Sequence, residues 1–110
     1  MKKKTVLIDL DGVLNVYNGN YDPNIIPSIK PGAKEFLEKL SADFIVKIFT
    51  TRNLLLTSKW VINNNLDKYI SDVTNIKEPS YLIIDDRAIT FKGDFEIVYK
   101  AVRNFNVWYK

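Results

Sequence analysis

Two aspartates, Asp9 and Asp11, stand where a buried strand would run out, in the stretch VLIDLDGVLN. A carboxylate at the end of an apolar run needs a partner or a cation, because burying it alone is very costly. A second acidic pair, Asp85-Asp86, closes the apolar run YLII, and a hydroxyl residue, Thr50, closes FIVKIF. Lys77 lies shortly before the last of these runs. Four carboxylates brought to one place repel one another unless a cation sits among them. The chain has no Cys and no His. That excludes disulfides, thiolate nucleophiles, His bases and the usual zinc ligand sets. Acid–base chemistry would fall to carboxylates, Lys or Tyr, and any metal should be a hard cation held by oxygen.

Each of these positions has a plainer reading when taken alone. Asp-Gly between apolar residues is a hairpin signal, which would make Asp11 a turn residue. It leaves Asp9 unexplained, where Leu or Val would serve a strand better. Asp85-Asp86 is an ordinary turn pair, Thr50 an ordinary strand-end residue and Lys77 an ordinary surface lysine. Arg52 and Arg87 stand close behind candidate site residues; surface ion pairing and a grip on substrate are both open for them. The joint order of these residues carries the functional reading.

Positioning them requires a particular set of elements. Thr5 to Leu10 reads as a strand covered on both faces. Residues 15 to 30, rich in Asn, Pro, Gly and Tyr, read as a loop or small hairpin. Pro31-Gly32 opens a helix whose inner stripe is Ala33, Phe36, Leu37 and Leu40, with Lys34, Glu35, Glu38 and Lys39 opposite. A second strand spans Phe44 to Thr50. A second helix spans about Leu54 to Leu66, with Leu55, Ile62 and Leu66 inward, Trp60 in the core and a frayed end at Asn63-Asn64-Asn65. Tyr69 to Val73 is a brief third strand and Tyr81 to Ile84 a fourth. Asp94 caps a last helix with the stripe Phe95, Val98, Val102 and Phe105. The closing Phe105 to Tyr109 is expected to pack against the sheet, a dimer contact being the alternative for an exposed version.

Strands alternating with helices predict an α/β fold, a three-layer sandwich around a mostly parallel, Rossmann-like sheet. Ligands of such sheets bind beyond the carboxyl ends of the strands. There Asp9, Asp11, Thr50, Asp85 and Asp86 would meet, with Lys77 nearby. At 110 residues the chain is expected to be a single domain, residues 1–110. Its balance of 46% apolar and 26% charged residues is that of an ordinary soluble protein. No apolar run approaches the roughly 20 residues of a membrane span. The MKKK start is not followed by a signal-peptide core, so the protein is expected to begin near Met1 and stay cytoplasmic. Lys2 to Lys4 read as a solvated terminus. The net charge of +3 is spread over scattered lysines, which does not point to nucleic acid.

The order DLDGV, strand-end Thr, Lys, then a strand ending in DD resembles the haloacid dehalogenase (HAD) superfamily of phosphatases. VLIDLDGVLN is similar to its first motif, KIFTTR to its second, Lys77 in NIKEPS to its third and YLIIDDRA to its fourth. The strings DGV and IDDRA resemble most the 5'-deoxyribonucleotidase-like branch and small capless members. The resemblance implies a HAD-like core and a Mg²⁺-dependent phosphomonoester hydrolase. Asp9 would attack phosphorus to form an aspartyl-phosphate, and Asp11 would protonate the leaving oxygen and later deprotonate water. Mg²⁺ would be held by the Asp9 side chain, the Asp11 backbone carbonyl and Asp86, with Asp85 supporting Asp86. Thr50, Lys77 and the turn at Gly12 would serve the phosphate, with Arg52 and Arg87 as substrate contacts.

The gaps at Asn15 to Lys30 and Thr51 to Ile76 leave no room for a folded cap domain. Substrate choice would then rest on the flap, an oligomeric neighbour or the substrate's own size. Capless relatives often act on macromolecular phosphates. The partner is therefore a phosphorylated substrate, small or macromolecular: a nucleotide, a nucleic-acid end or a phosphoprotein. The alternatives are a receiver-like signalling domain and a non-catalytic phosphate- and metal-binding module. No Asp ends the Phe44 to Thr50 strand, as a receiver would require. Retention of both Asp9 and Asp11 speaks against a silent module.

Overall fold

Val6, Leu7 and Ile8 are all buried, as an unbroken apolar run predicts for a strand covered on both faces. The computed structural model describes residues 2–109. In chain order the elements are β1 (Thr5–Asp9), α1 (Ala33–Asp43), β2 (Ile45–Phe49), α2 (Leu54–Asn63), β3 (Asp72–Thr74), β4 (Leu82–Ile84) and α3 (Phe95–Arg103). The four strands form one sheet in the order β3-β2-β1-β4, and every pairing is parallel. This is an α/β fold with a Rossmann-like parallel sheet. Among the described residues no helix is long and apolar enough to cross a membrane.

The strand order decides where a ligand can bind. The chain steps from β1 to β2 to β3 in one direction, then returns past β1 to lay down β4 on its far side. The loops leaving β1 and β4 therefore diverge, and a crevice opens between them at the carboxyl ends of the strands. Register sharpens this: Ile8 pairs with Ile84, and Asp9 pairs with Phe49. Asp9 and Asp85, the next residue on each strand, thus come out side by side.

The two crossovers β1-α1-β2 and β2-α2-β3 step the same way, and right-handed connections put both helices on one face. There Ile8, Val46 and Ile48 pack with Ala33 and Leu37 of α1 and Trp60 and Val61 of α2. Phe36 lies at the edge of the α1 stripe and is exposed, contrary to its expected inward place. Leu55 and Ile62 of α2 are exposed too; Thr57, Trp60 and Val61 form the inner arc instead. Leu54, Leu55 and Leu56 follow one another at about 100° around the axis, so they cannot share one face.

The expected fraying at Asn63-Asn64-Asn65 is instead a defined stop. Asn65 takes the left-handed conformation (φ 58°), and the Leu66 N–H donates back to the Val61 carbonyl at 2.9 Å. This is the usual way a helix ends when the next apolar residue must turn into the core. Leu66 is fully buried, so α2 ends three residues before its last core side chain.

The other face of the sheet is covered differently. Only seven residues join Thr74 to Leu82, too few for a helix, and the connection is irregular. It ties itself to β2 by an ion pair, Glu78 to Lys47 at 2.9 Å. The strict alternation of strand and helix therefore breaks between β3 and β4.

α3 forms as expected, with the Asp94 carboxylate accepting from the N–H groups of Glu96 and Ile97 at 2.9 and 3.3 Å. None of its residues is buried, and Phe95, Val102 and Phe105 of its stripe are exposed. Of the closing residues expected against the sheet, Val107 is buried. The next two reach the loop after β1: Trp108 Nε1 donates to the Gly12 carbonyl at 2.6 Å, and Tyr109 meets Tyr17 edge-on.

Candidate active site

At the carboxyl edge of the sheet lies an open cleft of about 370 Å³, lined by Asp9, Asp11, Thr50, Thr51, Asp85, Asp86 and Arg87 together with aromatic rings. β1 delivers Asp9, and the turn after it delivers Asp11. β2 delivers Thr50 and Thr51, and β4 delivers Asp85, Asp86 and Arg87. Asp9, Asp85 and Asp86 each offer a carboxylate oxygen, and these atoms lie within 4.8 Å of one another.

Three acids so close cannot all stay ionised without help. Burial pushes the Asp9 carboxyl up to about 8, and the Asp85 charge and the Asp86 carboxyl add to the rise. Asp86 is also raised, chiefly by burial, while its hydrogen bond with Asp9 pulls the other way. One oxygen of Asp86, Oδ2, is buried and has no hydrogen-bond partner among the described residues. Buried carboxylate oxygens are rarely left so. The arrangement fits a divalent cation bound by oxygen, whose charge would offset the crowded carboxylates and let Asp9 ionise.

Asp11 is held apart from this triad. Its Oδ1 accepts from Asn15 Nδ2 at 3.0 Å and its Oδ2 from Arg52 Nε at 2.8 Å. Arg52 is only 2% exposed. Its Nη1 donates to the Asp22 carbonyl at 2.7 Å, and its guanidinium lies over the Tyr21 ring at 4.5 Å. Neither surface ion pairing nor a substrate grip describes Arg52. It is a buried strut between Asp11 and the flap of residues 15–30. Arg87 is exposed and does line the cleft.

Two expected contacts are not brought to the cleft. Lys77 is exposed, outside the lining residues and in no ion pair among the described residues; the β3–β4 connection instead turns across the sheet where Glu78 meets Lys47. Gly12 is fully engaged behind the site, its N–H donating to Asn15 Oδ1 at 3.1 Å and its carbonyl accepting from Trp108. Its role is steric. With φ +82° it sits where any Cβ would run into the Asp86 carboxylate. Thr50 is buried at the cleft wall, and its Oγ1 accepts from the Arg52 N–H at 3.2 Å; Thr51 is exposed at the same wall.

Residues the sequence reading passed over complete the site. Asn15 is fully buried and braces the turn through Asp11, the Gly12 N–H and the Tyr17 N–H. Tyr17 and Tyr21 come from the flap, Phe49 from β2 and Tyr109 from the tail, and all four line the cleft. The tyrosines of the flap were visible as composition; nothing local points Tyr109 at a loop some ninety residues earlier.

No family model matches this chain, and no curated protein matches it. Among solved structures it is similar to a conserved protein from Bacteroides thetaiotaomicron, at 20% sequence identity and a TM-score of 0.62. The match covers 93% of this chain and 91% of that one. At that identity the likeness shows a shared α/β fold over nearly the whole length of both.

Proposed function

We propose that the protein is a Mg²⁺-dependent phosphomonoester hydrolase acting through an aspartyl-phosphate on Asp9. The observation that carries this reading is the Asp9, Asp85 and Asp86 triad, with oxygens within 4.8 Å, opening into a cleft that Asp11 also lines. The order of its motifs, which resembles that of HAD phosphatases, supports the same chemistry.

Asp9, Asp85 and Asp86 would hold the metal, with Asp85 now a direct candidate beside Asp86. Bound Mg²⁺ supplies positive charge that offsets the phosphate dianion and keeps Asp9 ionised. The Asp9 carboxylate attacks phosphorus, and the bond from phosphorus to the leaving oxygen breaks. Asp11 gives a proton to that oxygen, then takes one from the water that hydrolyses the acyl phosphate. Arg52 and Asn15 hold Asp11 in place for both steps. Thr50 and Thr51 offer hydroxyls to the phosphoryl oxygens, and Arg87 offers the cleft's guanidinium in the role expected of Lys77. The aromatic rim of Tyr17, Tyr21, Phe49 and Tyr109 favours a flat leaving group.

Hydrolysis of an aryl phosphate and of nucleoside monophosphates tests the reading. Turnover should require Mg²⁺, stop with EDTA and be lost in Asp9→Asn. Activity that survives either treatment rejects the mechanism. One observation favours a second reading, a non-catalytic metal-binding module: both Asp11 oxygens already accept hydrogen bonds inside the protein. Such a module would bind Mg²⁺ at the triad and turn over no phosphate ester, wild type included.

A further inference from the structure

We propose that the protein forms a two-fold symmetric homodimer in which α3 packs antiparallel against α3 of a second copy, with Tyr99 at the axis. This rests on surface and charge alone and is independent of the activity proposed above.

α3 presents an apolar flank that the described residues leave largely open, the Arg103 guanidinium lying 5.9 Å from the centre of the Tyr99 ring. Phe95, Tyr99 and Val102 recur at helical spacing and are 81%, 58% and 59% exposed. Phe91 packs at a tilt against Phe95 with centroids 5.1 Å apart, and Phe105 extends the flank past the last turn. At about 200 Å² for a whole aromatic side chain, the parts left open amount to roughly 500 Å² per chain. A standard interface buries about 800 Å² per partner, of which roughly 60% is apolar. The flank therefore supplies about the apolar area that one half of a stable dimer needs. Isolated apolar residues call for no explanation, whereas a patch of several hundred Å² is often a functional surface.

Charge selects a second copy as the occupant. The helix is acidic in its first turn, at Glu96, and basic in its last, at Lys100 and Arg103. None of these three makes an ion pair among the described residues. Running two copies antiparallel sets Glu96 of each against Arg103 of the other, and the midpoint of that pair falls beside Tyr99. One surface is thus complementary to itself about a two-fold axis, as an isologous interface requires. A parallel pairing would instead oppose like charges at both ends.

Sedimentation equilibrium over a concentration series, with far-UV circular dichroism as the check on folding, decides it. The wild type should show the mass of two chains. Glu96→Arg and Arg103→Glu should each weaken the dimer about tenfold or more, since each sets like charges against one another twice. Mixing these two variants should restore a heterodimer, and the double variant E96R/R103E should restore the homodimer. Tyr99→Glu should give a folded monomer. A wild type that is monomeric throughout, or a dimer indifferent to both single reversals, overturns the proposal. So does a dimer weakened by the single reversals but not rescued by mixing.

Discussion

At the scale of single residues, Asp9 controls what the site can hold. Its carboxyl stands near 8 in the folded chain against 3.8 ordinarily, raised by burial and by Asp85 and Asp86. Between those values the folded protein keeps a proton that the unfolded chain has lost. Without metal, stability should therefore fall as pH rises from about 4 to 8. Mg²⁺ must displace that proton, so its affinity should climb with pH, by up to about tenfold per unit, and level off above 8. Calorimetric titrations between pH 5.5 and 9 measure this directly. A flat profile would show that the ion binds somewhere other than Asp9, and Asp9→Asn should lessen the slope, leaving only what the raised Asp86 carboxyl contributes.

At the scale of elements, the site depends on how α2 begins. The Asn53 side chain accepts from the Leu56 N–H at 2.9 Å, and Thr57 Oγ1 donates to the Asn53 carbonyl at 2.9 Å. This cap stands directly after Arg52, whose buried guanidinium must turn back toward Asp11, and starts α2 at Leu54. Asn53→Ala should cost about 1 kcal/mol of stability, the usual worth of such a cap. It should also loosen the hold of Arg52 on Asp11. Chemical denaturation gives the first quantity, and the chemical shifts of Asp11 and Arg52 report the second. Unchanged stability would mean that helix packing, not the cap, sets the start of α2.

At the scale of the whole molecule, the C-terminal tail meets the loop after β1 at the site. Trp108 donates to the Gly12 carbonyl, and Lys30 at the end of the flap lies 4.2 Å from the Trp108 ring. The Tyr109 ring and the Asp86 carboxylate both crowd the open side of Gly12. Trp108→Ala should cost about 1 kcal/mol through the lost hydrogen bond. It should also weaken Mg²⁺ binding several-fold by freeing Gly12 and Asp86. Thermal melts and Mg²⁺ titration of the variant measure both. Wild-type Mg²⁺ affinity would assign the tail a structural part only.

The local pattern alone determined the α/β class, the three helices, their order among the strands, and the placement of Asp9, Asp11, Thr50, Asp85 and Asp86 at strand ends. Apolar runs and caps are properties of neighbours in sequence, and a parallel sheet turns such an order into a shared edge. Tertiary structure decided what depends on packing between distant segments. Lys77 left the cleft because seven residues had to cross the sheet without a helix, and Gly12 lost its free N–H to Asn15. Arg52 became a buried strut, and Tyr109 came from the far end of the chain to line the cleft. The sequence by itself named the acids that stand at the ends of apolar strands. Only the fold brought Asp9 within reach of Asp85 and Asp86, because that proximity comes from the pairing of β1 with β4.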